Sequence, residues 1–147
     1  MTSVSNIELA YKALARARRW LQSAFRALED ERWDDVVYSA QMAVEQSSKG
    51  VLIALGIDYP REHDISDVFS ELRNREDLPK WFRDLILDMS RSIAELAELR
   101  GLAGYGYEKG IDVDYFKDYA PEAYSIAKDH VDICEKLLNE LFKSPSA

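Results

Sequence analysis

The sequence predicts an all-α protein, an up-and-down bundle of four long helices plus one short helix. Apolar residues recur at intervals of three and four over long stretches, which is the repeat of a helix with one buried face. No stretch alternates as a half-buried strand does. The 147 residues are 47% hydrophobic, enough for one core. We therefore expect a single domain over 1–147, with a core at about 6–142 and a short tail at 143–147.

The first helix is expected at about 6–29. Ser5 followed by Glu8 is a capping-box pattern, in which each side chain bonds a free amide of the first turn. A seam of large residues at intervals of seven, with alanines three positions later, suits the close approach of another helix. The seam consists of Ile7, Leu14, Leu21 and Leu28, with Ala10, Ala17 and Ala24.

Three arginines cluster beside Trp20 on this helix, at positions 16, 18 and 19. An arginine cluster next to an aromatic ring can meet a nucleotide or an acidic partner. A solvated helix face produces the same pattern, and the sequence favours this second interpretation.

The second helix is expected from Asp34 to about Leu55, with Gly56 as its end. Its apolar face is broad and made of small residues, which is typical of a helix buried between two or more neighbours. A loop with Pro60 follows, and Asp64 can cap a short helix that runs to about Arg73.

Pro79 fits the first turn of the fourth helix, whose buried stripe is Phe82, Ile86, Met89, Ile93 and Leu96. The segment 101–110, GLAGYGYEKG, contains four glycines and is expected to break this helix. The last helix is expected at about 119–142. Its apolar stripe includes His130, which we interpret as a core histidine bonded to a neighbour, with Cys134 beside it in the core.

Composition excludes several classes of function. With 19 Lys and Arg against 27 Asp and Glu, the net charge is −8, which argues against a broad nucleic-acid-coating surface but leaves room for a small basic pocket. No segment resembles a secretory signal or reaches the roughly 20 apolar residues of a membrane span. Because Cys134 is the only cysteine, no internal disulfide can form. We expect a cytoplasmic protein without membrane contact.

Arg100 is the residue that periodicity singles out, because it occupies the next step of an apolar stripe. A buried guanidinium costs free energy unless it finds a partner. It can bond helix-end carbonyls or an acid such as Glu45, or it can be held at a cleft to grip an anionic group such as a phosphate. Tyr105 and Tyr107 follow, and phenols can stack on a base and donate hydrogen bonds to phosphate oxygens.

Three features resemble the HEPN family of small helical domains, and the resemblance covers about residues 8–143. They are the Ala/Glu/Lys-rich second helix closed by Gly56, the His63-Asp64-Ile65 segment at the start of the short helix, and Arg100 near the end of the fourth. In family members that act as metal-independent ribonucleases, this arginine is followed after a short spacer by a catalytic histidine. A toxin subgroup has Arg, four residues, His, one residue, Tyr.

Arg100 and Tyr107 match the toxin pattern, whereas Tyr105 stands at the histidine position. Histidine, with a pKa of about 6.5, exchanges protons at neutral pH, whereas tyrosine, with a pKa of about 10, normally stays protonated. The departure therefore argues against general acid–base cleavage of RNA through position 105. Binding of an anion or a base at this place is compatible with it.

The resemblance implies a homodimer in which the arginine-bearing helix ends face each other in one composite cleft. We therefore expect a dimer that binds nucleotide or RNA through Arg100, Tyr105 and Tyr107, with His63 as a neighbour, and that lacks strong nuclease activity. No metal or cofactor is expected, since one cysteine and two distant histidines provide no cluster of ligands.

Two alternatives stay open. The first is a metal-independent ribonuclease toxin of a toxin–antitoxin pair, with the same three residues as catalytic candidates. Its implied partner is a minimal nucleotidyltransferase, which could modify Tyr107 with nucleotides. The second is a structural module for protein interaction, because the Leu/Ala seam of the first helix suits assembly as well as core packing.

Overall fold

The computed structural model describes residues 4–142, with side chains from Asn6 onwards. Its six α-helices are α1 (Val4–Glu29), α2 (Trp33–Ala54), α3 (Ser66–Ser70), α4 (Lys80–Arg83), α5 (Ile86–Tyr105) and α6 (Ala120–Phe142). Short 3₁₀ turns occupy Glu71–Asn74, Gly106–Lys109 and Val113–Phe116. No strand occurs within 4–142, and the prediction of an all-α protein with four long helices is confirmed.

Helix α1 packs along α2 through the predicted seam. Ala10, Leu14 and Ala17 are buried, and the two backbones approach closely at Gly50, where a Cβ atom would lie 3.1 Å from the carbonyl oxygen of Ala10. The seam is therefore core packing. The predicted cap at Ser5 depends on a side chain that is outside the described part of the structure. The predicted tail at 143–147 also lies outside the described residues.

Helix α2 is the central element, in contact with α1, α5 and α6. Its predicted broad buried face is present, because most of its residues are inaccessible to solvent. His130 of α6 is buried against it, with Nε2 2.6 Å from the Ser48 hydroxyl oxygen, and Cys134 is also buried. Both residues were predicted to lie in the core, and both do.

The predicted fourth helix differs from the observed one at both ends. It is interrupted after Arg83, so that α4 is a separate single turn and α5 begins at Ile86. The predicted break does fall within 101–110, but not at its first glycine, because α5 continues through Gly101 and Gly104 and ends at Tyr105. A glycine inside a helix costs only about 1 kcal/mol, which tertiary packing offsets.

Gly110, with φ of +76°, lies just after the 3₁₀ turn that follows α5, in a left-handed conformation that suits glycine. Across residues 4–142, no helix is both long enough and apolar enough to cross a membrane.

Candidate functional site

The Arg100 side chain lies between α5 and α2, against Tyr38. Its Nη2 donates a hydrogen bond of 2.7 Å to the Tyr38 hydroxyl, and the guanidinium carbon is 4.5 Å from the centre of the Tyr38 ring. Within 4–142, Arg100 forms no ion pair, and its buried Nε has no hydrogen-bond partner. The half-buried guanidinium of Arg100 is therefore held by the neutral hydroxyl and the ring face of Tyr38, and its Nε–H donor is left without an acceptor.

Glu45, the acid considered as a partner for Arg100, is engaged elsewhere. Its carboxylate accepts hydrogen bonds from Gln41 at 2.8 Å and Lys49 at 2.9 Å, and it lies 2.6 Å from Nδ1 of His63. Burial opposes ionisation of this carboxyl, but the hydrogen bonds from Gln41, Lys49 and His63 outweigh it and hold its pKa below the usual value. A pair between Arg100 and Glu45 is therefore ruled out.

His63 lies apart from Arg100. Tyr38 and Glu45 are seven residues apart on α2, so they share a face but are separated by about 10 Å along the helix. His63, which contacts Glu45, lines a cavity of about 640 Å³ with Asp64, Glu95 and Glu98 among its other lining residues. Arg91 also lines this cavity, but it is paired with Asp88, so the three acidic residues leave a net negative charge that opposes the binding of a phosphate there.

Tyr105 and Tyr107 are 62% and 71% exposed, and no hydrogen bond or ring contact joins either of them to Arg100 in the described part of the chain. Helix α5 explains this separation. Because the chain remains helical between Arg100 and Tyr105, five residues rotate the side chain about 140° away around the axis. A single chain therefore does not bring the four predicted site residues together.

Tyr38 is a site residue that the sequence analysis missed. It lies on the same face of α2 as Glu45, seven residues earlier. Two polar side chains at this helical spacing are the signal in the sequence that could have revealed it. Its ring is 6.3 Å from that of Trp20 on α1, centre to centre. Trp20 in turn lines a cavity of about 240 Å³ with Arg16, Arg19 and Ser23. An aromatic row thus connects Arg100 to the arginine cluster of α1.

The chemistry available here is the binding of anions and aromatic bases. Arg100 supplies a charge that has no counterion among the described residues, and Tyr38 and Trp20 supply rings beside it. Among the described residues, no group of three or more His, Cys, Asp and Glu side chains is arranged to hold a metal ion.

The family to which the chain belongs is shown by its match to a known family model. The family model described as the HEPN domain matches residues 10–141, which is nearly the whole chain. The chain belongs to the HEPN domain family. No curated protein and no solved structure matches it. HEPN domains are in general related to nucleotides or RNA, and they commonly dimerise.

Proposed function

We propose that this HEPN domain is a homodimer that binds nucleotide or RNA through Arg100 and lacks strong nuclease activity. The observation that carries the proposal is the half-buried Arg100 guanidinium, which has no carboxylate partner and an unpartnered Nε within residues 4–142. Such a group is stabilised by a bound anion, since charge-assisted hydrogen bonds to phosphate satisfy both its charge and its donors. Local charge of this kind outweighs a net charge of −8 at short range.

A dimer accounts for the two exposed tyrosines. Tyr105 is the last residue of α5 and Tyr107 lies in the 3₁₀ turn after it, and Val113 and Tyr115 are exposed in the segment that follows. Several large apolar side chains exposed in one segment are typical of an interaction surface. If two copies face each other through these ends, the tyrosines of one copy lie beside Arg100 of the other. A composite cleft of this kind needs both copies.

The placement of the proton carriers supports the proposal that nuclease activity is weak. Position 105 carries a phenol, and His130 is buried in the core. His63 is oriented by Glu45 but lies among carboxylates that repel RNA. Neither histidine of the chain therefore lies at the Arg100 site, where a proton carrier for RNA cleavage would be needed.

Isothermal titration calorimetry tests the proposal. ATP, GTP and a short RNA are titrated at low salt into the wild type, Arg100→Ala and the control Arg91→Ala. Arg91 is exposed on the same helix, lines the His63 cavity and not the Arg100 site, and in the described part of the chain forms its one ion pair with Asp88. We expect Arg100→Ala to lose about 10- to 150-fold in affinity, the range for a hydrogen bond to a charged group, and Arg91→Ala to bind normally. Absence of binding by the wild type, or equal binding by Arg100→Ala, contradicts the proposal.

The dimer is tested separately by analytical ultracentrifugation at micromolar concentration. A dimer that dissociates in a Tyr105→Ser, Tyr107→Ser double variant supports the composite cleft. A wild-type monomer rules it out. A stable dimer that binds neither nucleotide nor RNA supports instead the structural interaction module.

A second candidate is the ribonuclease toxin of a pair with a minimal nucleotidyltransferase, and the observation that favours it is the accessibility of Tyr107. Its hydroxyl-bearing ring is largely exposed at the spacing from Arg100 that the toxin pattern has. Co-expression with such a partner followed by mass spectrometry detects a nucleotide adduct, with Tyr107→Phe as the control. RNA cleavage that Arg100→Ala abolishes supports the toxin, whereas activity that arises only in Tyr105→His supports a binding protein on a nuclease scaffold.

A further inference from the structure

Helix α1 carries concentrated positive charge in an acidic protein. The segment 9–28 contains no Asp or Glu, although the whole chain has 27 of them. Its basic residues are Lys12, Arg16, Arg18, Arg19 and Arg26. This separation of charge is the feature of the molecule that neither the Arg100 site nor the packing of the core explains.

The structure separates these five residues into two groups. Arg18 turns towards α6, where it forms ion pairs with Asp132 at 2.7 Å and Glu135 at 2.8 Å. The other four follow the spacing of one helix face and are exposed, and none of them forms an ion pair within the described part of the chain. We call this set, Lys12, Arg16, Arg19 and Arg26, the basic stripe.

The basic stripe is continuous with the Arg100 site. Arg16 and Arg19 line the cavity beside Trp20, whose ring lies 6.3 Å from that of Tyr38. Tyr38 accepts the hydrogen bond from Arg100. One surface thus leads from the Arg100 guanidinium over two aromatic rings to the basic stripe.

The length and the chemistry of the basic stripe indicate which class of ligand fits it. It extends from Lys12 to Arg26, or about 21 Å of helix, which is longer than a mononucleotide. The positive side chains of the basic stripe repel each other because no acidic side chain neutralises them in the described structure. A row of phosphates along the helix would remove this repulsion and stabilise them. The Trp20 ring at its side suits unpaired bases, because stacking on a side chain needs a base that is free of a duplex. An acidic protein segment would use the charges but not the ring.

We propose that the basic stripe is a phosphodiester track, along which single-stranded RNA runs from the Arg100 site across Trp20 and over α1. This inference rests on the proposed function and deepens it, since it makes the ligand an oligonucleotide. Arg100 holds one end, Trp20 stacks a base, and the basic stripe neutralises successive phosphates. Affinity therefore rises with the length of the strand and depends on salt.

Fluorescence anisotropy with labelled oligouridylates of three and twelve nucleotides tests the track, over a series of salt concentrations. The test variant is the double substitution Arg16→Gln, Arg19→Gln on the exposed face. The matched control is Arg61→Gln, Arg73→Gln, which removes the same charge from exposed positions outside α1. Thermal melting verifies that each variant is folded.

We expect the wild type to bind the twelve-nucleotide strand more tightly than the three-nucleotide strand. The Arg16, Arg19 double variant loses this advantage, and its plot of log affinity against log salt becomes shallower by about 1.4, since each phosphate contact with a single strand contributes about 0.7. The control retains the wild-type slope. Trp20→Leu weakens the long strand by about 5- to 150-fold, the range for one stacked base.

Three results overturn the track. If ATP binds through Arg100 but strand length and the double variant change nothing, the track is wrong and the proposed function stands. If polyglutamate displaces the twelve-nucleotide strand at equal charge and folded Trp20→Leu binds as the wild type does, the basic stripe is a surface for acidic protein. If neither ATP nor either strand binds, both proposals fail. Length-dependent binding that is lost in the double variant but unaffected by Arg100→Ala supports RNA binding by the basic stripe, and it contradicts both the proposed function and the start of the track at Arg100.

Discussion

Acidification is expected to destabilise this protein through His130. The imidazole is buried between α6 and α2, where Nε2 lies 2.6 Å from the Ser48 hydroxyl oxygen. The Ser48 oxygen is also 2.7 Å from the Val44 carbonyl, so both contacts are satisfied when Ser48 donates to the carbonyl and a neutral His130 donates from Nε2. No carboxylate bonds this ring within the described residues, and burial lowers the pKa of His130 to about 3.

The sign and size of the effect follow from that pKa. The unfolded chain, with a histidine pKa of about 6.5, takes up the proton more readily than the folded chain does. The contribution of neutral His130 to stability is therefore complete above about pH 6.5 and is lost as the pH falls towards 3. At pH 5 the difference from the unfolded pKa corresponds to a loss of about 2 kcal/mol in the free energy of unfolding.

Urea unfolding at pH 7.5 and pH 5.0 measures this loss in the wild type and in His130→Gln. Other groups also titrate, including Glu45 and Asp132, whose pKa values are lowered in the fold. They remain in the variant, so the difference between the two proteins isolates His130. We expect the wild type to lose about 2 kcal/mol more than the variant between the two pH values. Equal losses in both proteins would refute the argument that a neutral buried imidazole is required.

Three further predictions concern the packing of α1, α2 and α5, each measured by urea unfolding. Tyr38→Phe removes the acceptor of Arg100 but keeps the ring, and we expect a loss of about 1.5–3 kcal/mol; a loss below about 0.5 kcal/mol contradicts a buried, charge-assisted bond. Gly50→Ala is expected to destabilise by about 1–3 kcal/mol because its Cβ would lie 3.1 Å from the Ala10 carbonyl. Gly101→Ala, in the same helical conformation but with no atom within 4 Å, is expected to stabilise by up to about 1 kcal/mol. If both glycine variants are more stable than the wild type, helix propensity outweighs the close approach at Gly50.

The Arg, four residues, His, one residue, Tyr pattern of the toxin subgroup does not correspond to a site within one chain of this protein. Arg100 is held by Tyr38, and within the described residues no hydrogen bond or ring contact joins it to the exposed Tyr105 or Tyr107. Spacing along the sequence therefore does not by itself define a site here. The site is completed, in our proposal, by a second copy.

The sequence by itself determined the helical architecture of this protein and its core. Helix periodicity follows from burial of one face, so the seam of α1, the broad face of α2 and the core position of His130 were all readable from residue spacing. The position of Arg100 at the end of an apolar stripe was readable for the same reason. These features depend on neighbours within a few turns of one helix.

Only the tertiary structure decided how α5 ends and which charges are paired. The glycines of 101–110 predict a break, but packing against α2 retains the helix to Tyr105 and turns that side chain away from Arg100. Arg18 and Arg19 are indistinguishable in sequence, yet Arg18 meets two carboxylates of α6 more than a hundred residues later and Arg19 meets none in the described chain. Ion pairing depends on contacts between distant segments, which local spacing does not encode.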